Sequence, residues 1–364
     1  MHFQLYPSYI TSRNHVSPTS STTPINLRDS TASPQLPNRP TSTNAFHTMT
    51  TSQTTILLLG AGELGTAFLP HLSKLSNIHI TLGVRNPPKY THLTSPIVSI
   101  SQIDLASPSR ELAETFAEHD ILISATGFGA DPSTVLKLAN EVLAAGMLRQ
   151  DRGQASLWYF PWQWGVDYDV TGDGNGLMPL FGAQRHVRTL LRKQALSSNV
   201  KWTVVSTAIF MSFLFEQFWG IVDRSLEAES GNITVRCLRD WDHKVTVTDV
   251  NDIGRVLARI IASPSLFTNN ILYVAGDTVL YAELASIVER VSGATVEMET
   301  WDVPHLEREL SNSPDNGIKK YRLVFARDGV WWDKEKTINH ELGMPMMDVA
   351  TYADRLFNKG SRGE

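Results

Sequence analysis

An apolar segment that runs directly into a glycine-rich turn is the feature that most limits what this chain can fold into. Residues 55–59 read Thr-Ile-Leu-Leu-Leu, and residues 60–65 read Gly-Ala-Gly-Glu-Leu-Gly. A strand that breaks into G-x-G-x-x-G and continues as a helix is built to hold a dinucleotide. Gly60 permits the tight turn, Gly62 lets the backbone approach a pyrophosphate, and Gly65 allows close packing of the helix against the strand.

The residues that follow the turn support this interpretation. Apolar side chains recur at helical spacing at Ala67, Phe68, Leu69, Leu72 and Leu75. Residues 77–84 then read as the second strand of a β-α-β unit. A helix that begins at Glu63 and Leu64 directs backbone N–H groups and the positive end of its dipole toward the phosphates. The sequence therefore predicts that this turn binds a dinucleotide.

The residue at the end of the second strand bears on the choice of cofactor. Arg85 stands where an NAD-binding unit usually has an acidic residue for the ribose 2′-hydroxyl, and no acid is near. A guanidinium can pair with a 2′-phosphate and lie against the adenine ring, whereas a carboxylate would repel that phosphate. The sequence therefore favours NADPH over NADH as the cofactor; the alternative is a solvated arginine at a strand end.

The composition restricts the class of protein. The chain has 364 residues, of which 42% are hydrophobic, so it can bury a large core. Its 32 basic and 37 acidic side chains give a net charge of −5 without a run of Lys and Arg, which predicts no nucleic-acid partner. A single cysteine, Cys237, fits a reducing compartment, here the cytoplasm. No apolar run approaches the length of a membrane span, so no membrane partner is expected.

The first 48 residues differ in kind from the rest of the chain. Ser, Thr, Pro and Asn dominate there, and no apolar periodicity persists. Three arginines in an acid-poor leader loosely resemble a mitochondrial transit peptide, but the prolines oppose an amphipathic helix. Because Met49 lies just before the first strand, translation beginning there is the simpler alternative. We expect residues 1–48 to be disordered or absent.

Strands and helices continue to alternate after Arg85. Strands are predicted over residues 97–103, 120–125, 156–160 and 202–206, and helices over residues 108–118, 132–146 and 179–196. With the first two strands they predict an α/β fold, a doubly wound parallel sheet of at least six strands in a Rossmann domain over residues 55–206. Thr126, Gly127 and Phe128 follow the fourth strand at its C-terminal end, where such sheets bind ligands.

The C-terminal part of the chain has a less regular pattern. Short strands are predicted over residues 231–247, 271–274 and 295–301, with helices over residues 249–262, 281–292 and 347–358. We infer a smaller α+β lobe over residues 207–358 that covers the cofactor site. An aromatic-rich segment, residues 208–219, lies just past the sixth strand. It lines an apolar substrate pocket or forms an ordinary core helix, and the sequence leaves both interpretations open.

Several familiar catalytic patterns are missing. No Tyr has a Lys four residues later, so the usual short-chain dehydrogenase pair is unsupported. His340 and Glu341 lack the second His of H-E-x-x-H, and the Asp-rich residues 167–174 lack the final Glu of a calcium loop. No Ser occupies a G-x-S-x-G turn. The sequence therefore predicts neither a metal site nor a serine nucleophile.

At this point the chain resembles a known family, over roughly residues 55–358. The motifs that carry the resemblance are the glycine turn with Arg85, residues 158–165 (Trp-Tyr-Phe-Pro-Trp-Gln-Trp-Gly) followed by Asp167 and Asp169, Phe181 with Val187 and Arg188, residues 207–211, and residues 247–249 with Ile253. They are similar to those of the isoflavone reductase and phenylcoumaran benzylic ether reductase group within the NmrA-like atypical short-chain dehydrogenases. The family binds NADPH and reduces bulky aromatic or polyketide-like substrates. Other NmrA-like members are non-catalytic redox sensors that bind the dinucleotide and regulate partners.

Two positions depart from the family pattern. The family's glycine turn is G-x-x-G-x-x-G, and its first position falls on Leu59 here, with Gly62 and Gly65 in register. The family's catalytic Lys aligns with Gln184, three residues after Phe181. Glutamine cannot exchange a proton near neutral pH. Reduction then needs another proton source, and the candidates are Tyr168, His186 and a water held by Asp167.

These observations give one preferred function and one alternative. The preferred function is NADPH-dependent reduction of a bulky aromatic or polyketide-like ketone or enone in secondary metabolism. The turn and Arg85 hold the cofactor, and the loops of Thr126–Phe128 and of Phe160, Pro161 and Trp162 flank the nicotinamide ribose. The resemblance places Phe210 near the nicotinamide, Gln184 orients the substrate carbonyl or a water, and Trp164 and Phe213 contact the substrate. The alternative, favoured by the missing Lys, is a dinucleotide-sensing regulatory protein.

Overall fold

The computed structural model describes residues 53–127, 131–174 and 176–358, all within one compact unit. The leader predicted over residues 1–48 and the cofactor contact predicted at Phe128 lie outside the described residues.

The strands are β1 (Thr54–Leu59), β2 (Ile78–Val84), β3 (Val98–Gln102), β4 (Ile121–Ser124), β5 (Leu157–Phe160), β6 (Val200–Ser206), β7 (Ile209–Phe210), β8 (Val222–Asp223), β9 (Asn232–Leu238), β10 (Lys244–Thr248), β11 (Asn270–Tyr273), β12 (Asp277–Leu280) and β13 (Thr295–Trp301). The helices are α1 (Glu63–Leu72), α2 (Ser109–Ala117), α3 (Ser133–Asp151), α4 (Tyr168–Thr171), α5 (Pro179–Gln194), α6 (Glu227–Ser230), α7 (Val250–Ile261), α8 (Tyr281–Ser292), α9 (Val303–Ser311), α10 (Gly317–Phe325), α11 (Ile338–Glu341) and α12 (Val349–Phe357).

A parallel sheet of seven strands forms the main body, in the order β11-β6-β5-β4-β1-β2-β3. All six of its pairings are parallel, and Ile56 of β1 lies opposite Ile80 on one side and Ile121 on the other. The six predicted strands and the doubly wound α/β class are confirmed. The central strand β1 is almost wholly buried because helices cover both faces of the sheet.

Two helical layers enclose this sheet. Helices α1 and α7 pack on one face, where Phe68 and Leu257 belong to the same buried core. Helices α2, α3 and α5 pack on the other face, around Phe116 and Val142. Gly254 permits the close approach of α7 to α1, since a Cβ there would lie 2.8 Å from the Ala67 carbonyl oxygen.

The seventh strand corrects one expectation. The sequence analysis assigned residues 271–274 to the smaller lobe, but β11 pairs with β6 as the edge of the main sheet. Helix α7 packs on α1 and leads the chain back to that edge, so β6, α7 and β11 continue the β-α-β pattern of the main body. Segment periodicity predicted a strand here but could not show which sheet it joins.

The smaller lobe contains two three-stranded sheets, in the orders β12-β10-β7 and β13-β9-β8. Short strands were predicted over residues 231–247, and the structure has β9 and most of β10 there, separated by a turn in which Arg239 takes a φ of 78°. The aromatic segment 208–219 forms β7 and a 3-10 turn over Met211–Phe215, so the predicted alternative of a core helix is wrong. Among the described residues, no helix has the length and apolarity required to cross a bilayer.

Candidate functional site

The glycine turn joins β1 to α1 at the carboxyl edge of the sheet. Gly60 has a φ of 98°, and a Cβ there would lie 2.9 Å from the Ala125 carbonyl oxygen. A Cβ on Gly65 would lie only 2.1 Å from the Gly60 carbonyl oxygen. A Cβ on Gly62 would meet no atom within 4 Å. Gly60 and Gly65 are therefore required by the protein's own packing, whereas Gly62 leaves open space above the backbone.

The start of α1 can receive an anion. No side chain caps the helix at Gly62, and the Thr66 hydroxyl donates to the carbonyls of Gly62 and Glu63 instead. The first N–H groups of a helix lack intrahelical partners, and together with the helix dipole they attract phosphate. The Leu59 departure from the family pattern lies in the core, where its side chain is buried. It therefore leaves this opening unchanged.

Acidic groups surround the same helix terminus. Partial desolvation raises the pKa of Glu63, and the negative charges of Glu216 and Asp249 raise it further. Desolvation likewise raises the pKa of Asp249. These carboxyl groups therefore repel a bound anion when they are ionised. The start of α1 thus has backbone N–H groups that attract a phosphate and acidic side chains that repel it.

Arg85 lies at the same sheet edge as the turn. Leu59 is opposite Gly83 in the β1–β2 register, and the Gly60 N–H donates to the Gly83 carbonyl at 2.9 Å. Arg85 follows two residues later with an exposed side chain. Within the part of the chain that the structure describes, its guanidinium makes no hydrogen bond or ion pair. It is therefore available to a ligand that lies along the turn.

A cavity of about 320 Å³ opens next to the turn. Its wall combines residues of the turn, of the loops after β4 and β5, and of the smaller lobe: Gly62, Glu63, Leu64, Ala125, Gly127, Trp162, Trp164, Gly165, Val166, Tyr168, Phe181, Ala208, Ile209, Phe210, Phe213 and Tyr321. Most of these side chains are apolar or aromatic, as in pockets that bind small organic ligands. Glu63 and Gly127 thus share one cavity with Trp164, Phe210 and Phe213, all of which the sequence predicted.

The loops after β4 and β5 are fixed by core contacts. Trp164 is mostly buried; its indole N–H donates to the Ser124 carbonyl at 2.8 Å and its ring packs edge-on against Phe68. Thr126 is half-buried, and its hydroxyl is 3.4 Å from that of Ser124. Phe160 and Pro161 are buried, Phe160 within the core, and neither is among the residues that line the cavity. Trp162 is the member of this predicted trio that lines it.

Gln184 lies behind the cavity wall. Its side chain is 1% exposed, and its amide Nε2 donates to the Trp162 carbonyl at 2.8 Å. The amide of Gln163 in turn donates to the Gln184 carbonyl at 2.9 Å. Gln184 therefore links α5 by hydrogen bonds to the loop of residues 161–166, which we call the Trp162 loop. The structure does not bring the Gln184 amide into the cavity.

A buried ionic network, which we call the Arg188 network, holds the same loop from below. The Arg188 guanidinium is fully buried and donates to Gln163 at 2.7 Å, to Asp167 at 2.5 Å and to Ser206 at 3.0 Å. The second Asp167 carboxylate oxygen accepts from the Tyr273 hydroxyl at 2.5 Å. Both carboxylate oxygens of Asp167 are thus already engaged. The prediction that Asp167 holds a water therefore stays a prediction.

Asp169 extends this network toward the surface. It accepts two hydrogen bonds from Arg192, at 2.9 and 2.6 Å, and one from Arg188 at 3.1 Å. Burial alone would raise the pKa of Asp169, but the Arg192 hydrogen bonds and the Arg188 charge hold it below its usual value. The predicted proton donor His186 is exposed on α5 and does not line the cavity.

Tyr168 is the predicted proton donor that the structure brings to the cavity. Its ring packs edge-on against Phe181 at 4.8 Å, and the guanidinium carbon of Arg188 lies 5.2 Å from the ring centre. Tyr321 of α10 lines the same cavity from the smaller lobe. The sequence analysis missed Tyr321 because α10 was not predicted, and no motif marks that segment.

Comparison with known proteins identifies the relatives of this chain. A model of the NmrA-like family matches residues 52–331. A curated protein from Gibberella moniliformis (strain M3125 / FGSC 7600), described as an NmrA-like family domain-containing oxidoreductase, is 36% identical over 312 residues, which cover 82% of this chain and 96% of the relative.

Solved structures share the fold at lower identity. The NADPH-dependent quinone oxidoreductase QOR2 from Escherichia coli has a TM-score of 0.63 and 18% identity, covering 83% of this chain and 100% of that protein. An isoflavone reductase has a TM-score of 0.63 and 17% identity, covering 84% and 100%. The family match extends over the glycine turn, the Trp162 loop, the Arg188 network and Tyr321. The chain therefore belongs to the NmrA-like family, and the resemblance predicted from its motifs is confirmed.

Proposed function

We propose that this protein is an NADPH-dependent reductase of a bulky aromatic or polyketide-like ketone or enone. The observation that carries the proposal is the single cavity in which Gly62, Glu63 and Leu64 of the nucleotide-binding turn share a wall with Trp162, Trp164 and Phe213. A site of this kind can hold a dinucleotide and a flat apolar molecule in contact. The oxidoreductase description of the Gibberella moniliformis relative supports the same class of activity.

The residues present fit a bound NADPH. The open space above Gly62 and the uncapped start of α1 suit the pyrophosphate, and the unpaired Arg85 suits a 2′-phosphate. Gly127, Trp162 and Phe210 line the cavity beyond the turn and would contact the nicotinamide half. The bound cofactor would supply a hydride. The E. coli structure with which this fold was compared is an NADPH complex, which supports the choice of cofactor.

The chain's own residues would bind and orient the second molecule. The aromatic wall excludes water and favours flat rings through area burial and edge-to-face contact. The Trp162 loop is held by Gln184 and by the Arg188 network, so Gln184 contributes as a positioning residue that acts through Trp162. We retain a cytoplasmic location and a small-molecule partner as parts of this proposal.

Substrate-dependent oxidation of NADPH tests the proposal. The purified protein is supplied with NADPH and a panel of aromatic ketones, enones and quinones, and loss of absorbance of the reduced cofactor is followed with product analysis. Turnover of at least one flat aromatic acceptor is expected. Gln184→Ala should then lower turnover by about 10- to 100-fold through loss of orientation, with a smaller loss of NADPH affinity because Trp162 also lies at the nicotinamide end. Absence of turnover across the panel would overturn the reductase proposal.

A second candidate function is a dinucleotide-sensing regulator. The specific observation in its favour is Gln184, which replaces the family's Lys and is occupied by a structural hydrogen bond to the Trp162 carbonyl. In that case NADPH would bind without turnover and would change the association of this protein with a protein partner. A binding assay with and without NADPH, run beside the turnover panel, separates the two functions.

A further inference from the structure

Two phenol groups from distant parts of the sequence line the cavity. Tyr168 begins α4 directly after the Trp162 loop, and Tyr321 lies in α10 of the smaller lobe. Their side chains are 3% and 8% exposed, respectively. Among the described residues neither hydroxyl has a hydrogen-bond partner, and neither oxygen is among the fully enclosed atoms that lack one. Because each hydroxyl lacks a partner among the described residues and its oxygen is not fully enclosed, both groups can donate to a ligand in the cavity.

Each ring is held in place by the surrounding core. Tyr321 stacks on Phe325 at 4.8 Å and meets Trp219 edge-on at 5.1 Å. The neighbouring Arg322 donates to the carbonyls of Trp219 and Phe218 at 2.9 and 3.0 Å, which fixes α10 against this part of the lobe. Tyr168 packs against Phe181, as described above. Donors that are fixed before a ligand arrives bind it at a lower entropic cost.

Gly165 locates the Tyr168 hydroxyl within the wall. A Cβ on Gly165 would lie 2.8 Å from that oxygen, so the hydroxyl rests against the glycine backbone. Gly165 itself lines the cavity. The aromatic wall around it offers few other donors, since Trp164 already donates its N–H to Ser124.

We propose that Tyr168 and Tyr321 form a phenol pair that donates hydrogen bonds to a carbonyl or quinone oxygen of the bound aromatic molecule. This inference rests on the proposed function for its chemical step but not for the binding itself. An oxygen acceptor attached to an aromatic body would satisfy both hydroxyls, and a hydrocarbon of the same shape would satisfy neither. The pair therefore selects oxygen-bearing ligands within an otherwise apolar cavity.

The two phenols have unequal surroundings. Burial raises the pKa of Tyr168, while the positive charge of Arg188 counteracts that rise. Burial raises the pKa of Tyr321, and Tyr168 raises it further. The Arg188 guanidinium carbon lies 5.2 Å from the Tyr168 ring centre, whereas the Tyr321 ring is packed against Phe325 and Trp219. This geometry assigns proton donation to Tyr168, beside a positive charge, and orientation to Tyr321.

The chemical step balances with these assignments. A bound reduced nicotinamide would supply a hydride to the carbonyl carbon; as the C=O π bond breaks, the oxygen would take the Tyr168 proton. The products would be an alcohol, oxidised nicotinamide and a Tyr168 phenolate, which would regain a proton from water. Arg188 stabilises that phenolate in the interval.

A matched pair of ligands tests the binding part without cofactor. Affinities for 2-acetonaphthone and 2-ethylnaphthalene are measured by calorimetry for the wild type, Tyr168→Phe, Tyr321→Phe and the double variant. Each single substitution should lower the affinity for the ketone by about 2- to 10-fold, the effect of one net hydrogen bond. The affinity for the hydrocarbon should stay unchanged. Gly165→Ala should weaken the ketone similarly, because its Cβ displaces the Tyr168 hydroxyl. Tyr281→Phe, a buried tyrosine outside the cavity, serves as the control.

Two results would overturn the phenol pair. One is an unchanged ketone affinity in the double variant, and the other is an equal loss for ketone and hydrocarbon. With an active substrate, Tyr168→Phe should lower kcat more than Tyr321→Phe at unchanged NADPH affinity, and the reverse order would refute the assignment of roles. If the wild type shows no turnover, the reductase proposal fails, while the calorimetry still decides the binding part.

Discussion

The two ends of the cavity are constructed in different ways. At the glycine turn the cavity is bordered by the start of α1, whose first backbone N–H groups are open to a ligand, and the exposed Arg85 lies along the same sheet edge. At the opposite end the wall is held by buried side chains from several segments, with Arg188 at their centre. The first end follows from a local sequence motif, whereas the second exists only because distant residues pack together. Substitution of ligand-facing groups at the turn should therefore affect mainly binding, whereas substitution of the buried side chains at the other end should affect mainly stability.

The largest effect is expected in the Arg188 network. Arg188→Met would leave the carboxylate of Asp167 buried without its charged partner, which should cost about 3–5 kcal/mol in the free energy of unfolding. Chemical denaturation of the two proteins measures this difference. Arg192→Met is the matched control: its pair with Asp169 is partly exposed, so it should cost less than about 1 kcal/mol. Similar losses of unfolding free energy in both variants would show that the buried network contributes no more to stability than the exposed pair.

At the turn end, Arg85 should affect affinity alone. Arg85→Ala should weaken NADPH binding by about 1.5–3 kcal/mol, the scale of hydrogen bonds to a charged group, and leave NADH nearly unchanged. The unfolding free energy should stay the same because the side chain is exposed and unpaired within the described part of the chain. Titration of both cofactors provides the measurement, and an equal loss for the two would refute the 2′-phosphate contact.

Two glycines of the turn differ in what a side chain would meet: protein atoms at Gly65, and open space for a ligand at Gly62. Gly65→Ala places a Cβ 2.1 Å from the Gly60 carbonyl, so it should destabilise the fold by about 1–3 kcal/mol. The Cβ of Gly62→Ala meets no protein atom, so this substitution should leave the stability of the fold unchanged and lower only the affinity for NADPH. Thermal unfolding combined with cofactor titration distinguishes the two. A destabilised Gly62→Ala protein would contradict the open space above that residue.

Glu63 should give the smallest effect, and one that depends on pH. Because the pKa of Glu63 is raised in the folded protein, its ionisation lowers stability as pH rises from the usual glutamate value through the raised one. Glu63→Gln should therefore stabilise the protein by about 0.2–1 kcal/mol at neutral pH and also tighten NADPH.

Glu111 is the control for this effect. It lies in the first turn of α2, where the helix dipole favours a negative charge, so Glu111→Gln should be neutral or slightly destabilising. Unfolding free energies measured at pH 4 and pH 7 compare the two substitutions. A Glu63→Gln protein that gains stability only at the lower pH would contradict the proposed charge repulsion.

The features that depend only on neighbouring residues could be predicted before the fold was known. The G-x-G-x-x-G spacing fixed the turn, apolar runs predicted the first six strands of the main sheet, and the motif set predicted the family. These features are local because a tight turn, a helix start and strand alternation each depend on a few consecutive residues. Arg85 could be placed near the turn because β1 and β2 are neighbouring parallel strands, so their carboxyl ends lie at the same edge of the sheet.

The remaining features depend on packing between segments that are distant in the sequence. Strand β11 joins the main sheet because α7 packs on α1, a contact between residues almost two hundred positions apart. Gln184 was aligned with a catalytic position, but its amide is taken up by the Trp162 carbonyl, and Asp167 is enclosed by Arg188 and Tyr273. Tyr321 reaches the cavity from a helix without any motif. Such placements depend on how separate elements pack, and no short sequence pattern records which buried partner a side chain will find.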